Sequence, residues 1–545
     1  MKLTDTSDLW WRSAVVYCLD VETFQDSNGD GHGDFAGLAH RIDYLAELGV
    51  TCIWLMPYYP TPERDDGYDI LDFYGVDPRL GTHGDLVEAL RLASDRGIRV
   101  IVDLVVNHTS DKHPWFRASR SSRDNPYRDW YVWVDEPPPG KEKNVFPDAE
   151  DGVWQYDEKT EQYYQHSFYR QQPDLNVVNP AVRDEIAKII GFWLQLGVSG
   201  FRVDAVPFLL DTKGVEAASE LLPDPHQYLR SIRLFMSRRS GQSILLGEVN
   251  LPYDGQLGFF GGPEGGELTM QFDFNAMQRM YLSLAREDAT PLLETLRERP
   301  PLPDGTQWAI FVRNHDELTL DKLSEEERQE VFAAFGPDPD MQLYGRGLRR
   351  RLPPMLGGDP RRIRMAYSLL FALPGTPTLF YGEEIGMGEN LAVEGRMSVR
   401  TPMQWTEGTN GGFSTAPERK LPASVTPDGY GPAFVNVESQ QHDNDSLLAF
   451  IRTLAHVYRT TFEIGFGEPE YLELGDVRLL CCLMRWDEGS VVTVHNFGSA
   501  AAMARIPIEG TSVVDLLTGT HEDAPDGVVE VPLEGYGFRW LRVLP

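Results

Sequence analysis

Residues 179–206 read NPAVRDEIAKIIGFWLQLGVSGFRVDAV. Asn179 and Pro180 fit the N-cap and first position of a helix, and Gly197 fits its end. Residues 200–203 then form a short buried strand, and the chain meets a carboxylate at once, Asp204. The same unit recurs on both sides. Residues 14–19 form an apolar run, followed by a Gly/Asp loop and a helix over 37–48. That helix sets Leu38, Ile42, Leu45 and Leu48 on one face, with Gly49 at its C-cap. Residues 52–56 form the next strand. Thr82 caps a helix through Leu86, Leu90 and Ala93 that stops at Gly97, and 99–106 is a third strand. Further strands are expected at 243–247, between 267 and 274, at 308–312 and at 378–381. Short buried strands alternating with amphipathic helices make a parallel sheet. No G-x-G-x-x-G turn follows the first strand, so an α/β closed (β/α)8 TIM barrel is favoured over an open doubly wound sheet.

Two stretches break this rhythm. Residues 109–175 are rich in Trp, Tyr, Arg, Asp and Pro, with Pro137, Pro138 and Pro139 in a row. That is too long for a plain loop and predicts an inserted subdomain. From about 465 the helices cease, and 477–484, 491–495, 502–506 and 538–543 read as β-strands. The expected organisation is a barrel over 1–108 and 176–464, an insertion over 109–175 and an all-β domain over 465–545.

The 545 residues carry 50 Lys plus Arg against 83 Asp plus Glu, a formal charge of −33. Such a chain repels phosphate backbones and anionic membranes, so neither nucleic acid nor membrane is an expected partner. No run of about 18 apolar residues exists to span a bilayer. The start, Met1 to Trp11, carries Asp5 and Asp8 and does not read as a secretory signal. Cys18, Cys52, Cys481 and Cys482 show neither metal spacing nor a disulfide framework. A reduced, cytoplasmic protein is expected. Its oligomeric state is left open, homo-oligomer included.

In such a barrel, chemistry sits where strands end. The polar residues there are Asn107 and His108, Arg202 and Asp204, Glu248, and Asn314, His315, Asp316 and Glu317. Residues i and i+2 of a strand share a face, so Arg202 stands beside Asp204 and should lower its pKa. Glu248 follows Leu245, Leu246 and Gly247 with no basic neighbour in sequence, so desolvation should raise its pKa. A low-pKa and a high-pKa carboxylate face to face are the nucleophile and acid of glycoside hydrolysis. From the residues alone, a pair of buried salt bridges fits as well.

DLVVNH at 103–108, GFRVDAV at 200–206, GEVN at 247–250 and VRNHDE at 312–317 resemble the four ordered signature regions of glycoside hydrolase family 13. QPDLN at 172–176 resembles the fifth. Within the family, WWRSAVVY, DSNGDGHGD, NHTSDKHPWF, VRNHDELTL, YGEEIGMG and VRTPMQW are similar to the trehalose synthases and to the oligo-1,6-glucosidase and α-glucosidase group. The resemblance implies a (β/α)8 barrel, an inserted domain B and a C-terminal β-sandwich. It implies Asp204 as nucleophile, Glu248 as acid/base and Asp316 as the third carboxylate. His108 and His315 would bond the first glucose, and Arg202 would orient Asp204. Asp65 and Tyr68, with Arg400, would fix its non-reducing end, and Phe168 and Gln172 would line the pocket. The implied activity is retaining, with carboxyls about 5–5.5 Å apart, and interconverts maltose and trehalose. The alternative is a hydrolytic α-glucosidase using the same residues. EVNLPYDG at 248–255, FDFN at 272–275 and GRMSVRTP at 395–402 depart from the trehalose synthase pattern on the acceptor side. Val206, two residues after Asp204, tracks linkage preference in the family. A catalytically dead binding relative is disfavoured by the complete carboxylate triad.

Asp26, Asn28, Asp30 and Asp34 form D-x-N-x-D-G-x-G-D. The twelfth position is Gly37 instead of Glu, so this is not an EF-hand. Four oxygen side chains among glycines still suit a hard cation. The resemblance implies structural Ca²⁺ here, with the carbonyl of His32 as a further ligand and no organic cofactor. The competing reading is a solvated turn. Arg349–351 and Arg361–364 are expected on exposed or interdomain helix faces. Trp115, Tyr127, Trp130, Tyr131 and Trp133 are expected to form the core of the insertion.

Overall fold

In the computed structural model, which describes residues 9–138, 144–211, 215, 218–487 and 489–545, eight parallel strands close into a barrel. They are β1 (Val16–Leu19), β2 (Cys52–Leu55), β3 (Arg99–Leu104), β4 (Gly200–Val203), β5 (Ile244–Gly247), β6 (Met270–Phe272), β7 (Gln307–Phe311) and β8 (Thr376–Phe380), each beside its neighbour in sequence, with β8 closing on β1. Pro139 and the first eight residues, discussed above, lie outside the described residues. Among the described residues no helix is long and apolar enough to cross a membrane.

Local chemistry sets the helix ends. The helix Phe35–Leu48 ends on Gly49 at φ 96°, and Pro180–Leu196 ends on Gly197 at φ 113°, conformations that cost glycine least. Thr82 and Asp85 form a reciprocal capping box on His83–Asp95.

Between β3 and β4, residues 114–165 hold a short helix and a three-stranded antiparallel sheet of Trp133–Val134, Trp154–Asp157 and Gln162–Gln165. Its aromatic side chains pack on each other: Trp115 meets Trp130 at 4.8 Å between centroids, and Phe116 stacks on Trp133 at 5.7 Å. Between β7 and β8 the chain adds a helix, Glu325–Phe335, and a small sheet of Leu318–Thr319, Gln342–Leu343 and Gly347–Leu348. The sequence reading had not separated this element.

The C-terminal part holds a six-stranded and a two-stranded antiparallel sheet. Strand Leu479–Trp486 packs both ways: Leu480, Cys482 and Met484 join the barrel's core, while Leu479, Cys481 and Leu483 form the interior of the β-domain. Adjacent strand residues point to opposite faces, which is why neighbouring cysteines 481 and 482 remain separate thiols.

The expectation for Arg349 and Arg351 is corrected. Both are buried, and the Arg351 guanidinium donates to the carbonyls of Tyr381 and Val399. The Tyr381 carbonyl, just past β8, and the Val399 carbonyl satisfy a cation expected on an exposed or interdomain helix face.

Candidate active site

The barrel register brings two carboxylates side by side. Val203 pairs with Gly247 across β4 and β5, so Asp204 and Glu248 are the next residues on adjacent strands. The Glu248 N–H donates to the Val203 carbonyl at 3.1 Å, keeping that spacing past the strand ends. Adjacent strands lie about 4.8 Å apart. That spacing puts both side chains within reach of one guanidinium. Ala205 then adopts φ 47°, a left-handed conformation that costs a side-chain-bearing residue energy, and its N–H donates to Glu248 Oε2 at 3.2 Å.

One buried guanidinium holds both acids. Arg202 Nη1 lies 2.6 Å from Asp204 Oδ1, and Nη2 lies 2.8 Å from Glu248 Oε2. Glu248 therefore has a basic neighbour in space that its sequence context did not reveal. Nη1 also contacts Asp103 Oδ1 at 2.6 Å, and the Trp54 indole donates to Asp103 Oδ2 at 2.8 Å. Asp103 was missed in sequence. The signal was available, because an Asp within the apolar run of β3 pairs in register with Arg202.

Three carboxylates share that one cation, and the acids respond. Burial raises Asp204 to about 6, against the pull of Arg202. The expected lowering is thus reversed, because desolvation outweighs one shared guanidinium. Burial raises Glu248 to about 7, again opposed by Arg202, with the charges of Asp204 and Asp316 adding to the rise. Asp316 goes the other way. Its burial penalty is overcome by His315, Arg396, Arg400 and Arg202, which hold it well below the ordinary carboxylate range.

Asp204, Glu248 and Asp316 line one cavity of about 370 Å³ together with Asp65, Tyr68, His108 and Phe168. The other proposed site residues stand behind its wall. Gln172 donates to Asp65 Oδ2 at 2.8 Å. His315 Nε2 lies 2.7 Å from the Tyr68 hydroxyl and 3.3 Å from Asp316 Oδ2, with its ring stacked on Tyr68. His108 packs its ring against Phe168 at 5.2 Å. Val206 is buried and begins a short helix, Val206–Leu209.

The structure adds a second arginine to the expected set of Asp65, Tyr68 and Arg400. Asp65 Oδ1 takes Arg396 Nη2 at 2.6 Å, and Arg396 Nη1 reaches Asp316 Oδ1 at 2.5 Å. Arg400 is fully buried beneath them, bonding Asp66, Asp316 and the carbonyl of His315. Arg396 lies within one 3-10 turn, Gly395–Val399, and Arg400 directly follows it. The GRMSVRTP stretch carried both arginines, and the sequence reading took only the second. Glu317 also lines the cavity, paired with Arg346 at 2.9 Å.

In the 26–34 loop, both Asp26 carboxylate oxygens accept backbone N–H groups, from Asn28, Gly29 and Gly31. Asn28 and Asp30 each accept from the N–H two residues on, and Asp34 Oδ1 caps the following helix at Gly37. All donors are oxygens in successive tight turns, the chemistry a hard cation takes. Among the described residues, three acidic groups with ligand atoms within 4.8 Å of one another occur elsewhere, at Asp20, Glu22 and Asp66.

A carboxylate pair on neighbouring barrel strands, held by one buried arginine and facing a cavity, is the arrangement of a glycoside-processing (β/α)8 enzyme. The chain belongs to the α-amylase family, glycoside hydrolase family 13, and is an enzyme acting on α-glucosides: residues 20–333 and 349–464 match the α-amylase catalytic domain. Residues 489–542 match a sucrose hydrolase-like C-terminal domain. The chain is 44% identical to the trehalose synthase/amylase TreS of Mycolicibacterium smegmatis, covering 99% of this chain and 93% of that protein. It is 40% identical to the trehalose synthase of Pimelobacter sp., over 98% and 96%. It is 31% identical to the oligo-1,6-glucosidase of Parageobacillus thermoglucosidasius, over 92% of each. The solved structure of trehalulose synthase MutB superposes with a TM-score of 0.78 at 28% identity, over 98% of this chain and 100% of that one.

Proposed function

We propose that the enzyme interconverts maltose and trehalose by double displacement, with Asp204 as nucleophile and Glu248 as acid/base. The observation that carries this reading is the juxtaposition of the two carboxylates, one strand spacing apart on Arg202. Glu248, with the higher pKa, gives its proton to the glycosidic oxygen as that oxygen leaves the anomeric carbon. Asp204 Oδ forms the new bond to that carbon, giving a β-glucosyl-enzyme. The freed glucose turns in the cavity, and its C1 hydroxyl attacks the same carbon. Its proton goes to Glu248, and Asp204 leaves. Net retention yields trehalose.

Asp316 stays ionised under its arginines and accepts sugar hydroxyls, while Arg396 and Asp65 close the far end of the pocket. At about 370 Å³ the cavity lies near the small end of ligand sites, about 300–1,000 Å³, which suits a disaccharide. Asp26, Asn28, Asp30, Asp34 and the His32 carbonyl would hold Ca²⁺, whose contribution would be to stiffen this loop. Ser414 donates to Asp26 Oδ2 at 2.6 Å, tying the loop to a distant segment. A cytoplasmic setting is supported by four free, buried thiols.

Hydrolysis is the second reading. It is favoured by Asn250 and Leu251, which line the cavity directly beyond the acid where the sequence departs from the trehalose synthase pattern. NMR of products from maltose separates the two. Trehalose as the main product is expected, and glucose alone would exclude the isomerase.

A further inference from the structure

The loop that carries Asp316 is held from behind by cations. Arg313, two residues past β7, is buried. Its guanidinium donates to three backbone carbonyls: Nε to Asn314 at 2.8 Å, Nη2 to Asp316 and Nη1 to Arg350. The carbonyl between the first two, that of His315, accepts Arg400 Nε at 2.9 Å. Three successive carbonyls of this loop are therefore taken by two buried guanidiniums. The Asp316 N–H is held as well, donating to Asn314 Oδ1 at 3.0 Å.

These bonds belong to a closed ring. Arg313 donates to the Arg350 carbonyl, and the next residue, Arg351, donates to the Val399 carbonyl at 2.7 Å. Arg400, which follows Val399, donates back to His315. Glu389 fixes the middle segment, accepting Arg350 Nε at 2.8 Å and the Arg351 N–H at 2.9 Å. Three segments distant in sequence are thus linked head to tail by Arg313, Arg351 and Arg400, all buried.

Carbonyls can be satisfied by neutral donors, and a buried cation loses its hydration. Burial and the charge of Arg351 lower the Arg313 pKa to about 10, opposed by Tyr281, Glu383 and Glu389, so it stays charged at neutral pH. What a guanidinium adds is shape. Its planar fork holds several acceptors at once in fixed directions. The acceptors held here lie on either side of His315, and the side chain that leaves this stretch to line the cavity is Asp316. Arg313 itself stands behind the cavity wall, so it reaches the sugar only through that loop.

We propose that Arg313 is a positioning residue for Asp316: by clamping the carbonyls of Asn314 and Asp316 it sets where the Asp316 carboxylate meets the glucose. This role rests on that of Asp316 in binding sugar hydroxyls, and the experiment separates the two. Steady-state kcat/KM is measured on 4-nitrophenyl α-glucoside for Arg313→Met, Asp316→Asn and the double variant, with products from maltose followed by NMR. Arg313→Met should lose about 10²-fold. In the Asp316→Asn background, itself down by about 10³-fold, it should lose less than about threefold more, because the two residues act as one unit. The ratio of trehalose to glucose should stay within about twofold of the parent, since Asp316 serves the glucosyl unit that both reactions share. Arg313→Lys keeps the charge with fewer donors and should recover about tenfold of the loss. The same cycle run with Arg313→Lys decides the matter if the Met variant does not fold. A further loss of about 10²-fold in the Asp316→Asn background, or a shift of products toward glucose, would show a merely structural role and overturn the proposal while Asp316 keeps its own. Full activity of both Arg313 variants would overturn it too. Full activity of Asp316→Asn would remove the reading of Asp316 and the proposal with it.

Discussion

The floor and the rim of the cavity solve the same problem with different charge ratios. On the floor one cation, Arg202, serves three acids: Asp103, Asp204 and Glu248. At the rim two cations, Arg396 and Arg400, serve three acids, Asp65, Asp66 and Asp316, and both of them converge on Asp316. Burial is similar, yet the floor acids rise to about 6 and about 7 while Asp316 falls. Asp65, which pairs with Arg396 alone, is also raised by burial to about 6, so the number of cations on one carboxylate, more than depth, decides which acids can exchange protons near neutral pH. The floor acids are tuned for chemistry, and at the rim Asp316, held by both arginines, keeps its charge.

The strongest way to break this contrast is on the floor. Asp204→Ala should reduce both isomerisation and hydrolysis by about 10⁴-fold or more, and steady-state assays on maltose check it. Retention of full activity would remove the mechanism.

Asp103→Asn should cost about 10²-fold by letting Arg202 shift. It also moves the pH profile. The intact enzyme should show a bell in kcat/KM, rising as Asp204 ionises near about 6 and falling as Glu248 loses its proton near about 7. The charge of Asp103 raises the Asp204 pKa, so removing it should carry the acid limb to lower pH. A limb that stays in place would show that Asp103 acts through packing alone.

At the rim, Arg396→Ala should raise the maltose KM about tenfold. It should also shift products toward glucose, because opening the Asp65 end admits water. Unchanged KM and product ratio would leave the rim without its assigned role. The smallest effect is expected outside both regions. Asp30→Ala should lower Tm by about 2 °C and abolish any gain from added Ca²⁺, with thermal melts as the check. A Ca²⁺ gain undiminished in the variant would place the ion elsewhere.

The contrast also separates what sequence made legible. The floor was readable because its parts are strand ends: Arg202 and Asp204 are two residues apart on one strand, and Glu248 ends the next. Their relative pKa order was also readable, but the absolute direction for Asp204 was not, since the sharing of Arg202 among three acids is a property of the closed barrel. The rim was less legible. Asp65, Asp316 and Arg396 come from separate loops whose meeting depends on the fold, and of two arginines four residues apart nothing in the pattern favoured Arg396. The barrel itself followed from alternating strand and helix patterns with glycine caps. The small sheet at 318–348 did not, because its strands are only two residues long and show no period.

The central claim is that Asp204 carries the glucosyl group. Incubating the Glu248→Gln enzyme with 5-fluoro-α-glucosyl fluoride, which needs no acid to leave, should trap that intermediate. Mass spectrometry of the digest should then place one fluoroglucosyl group on the peptide containing Asp204. A label on another residue, or rapid turnover of the reagent in Asp204→Ala protein, would contradict the account.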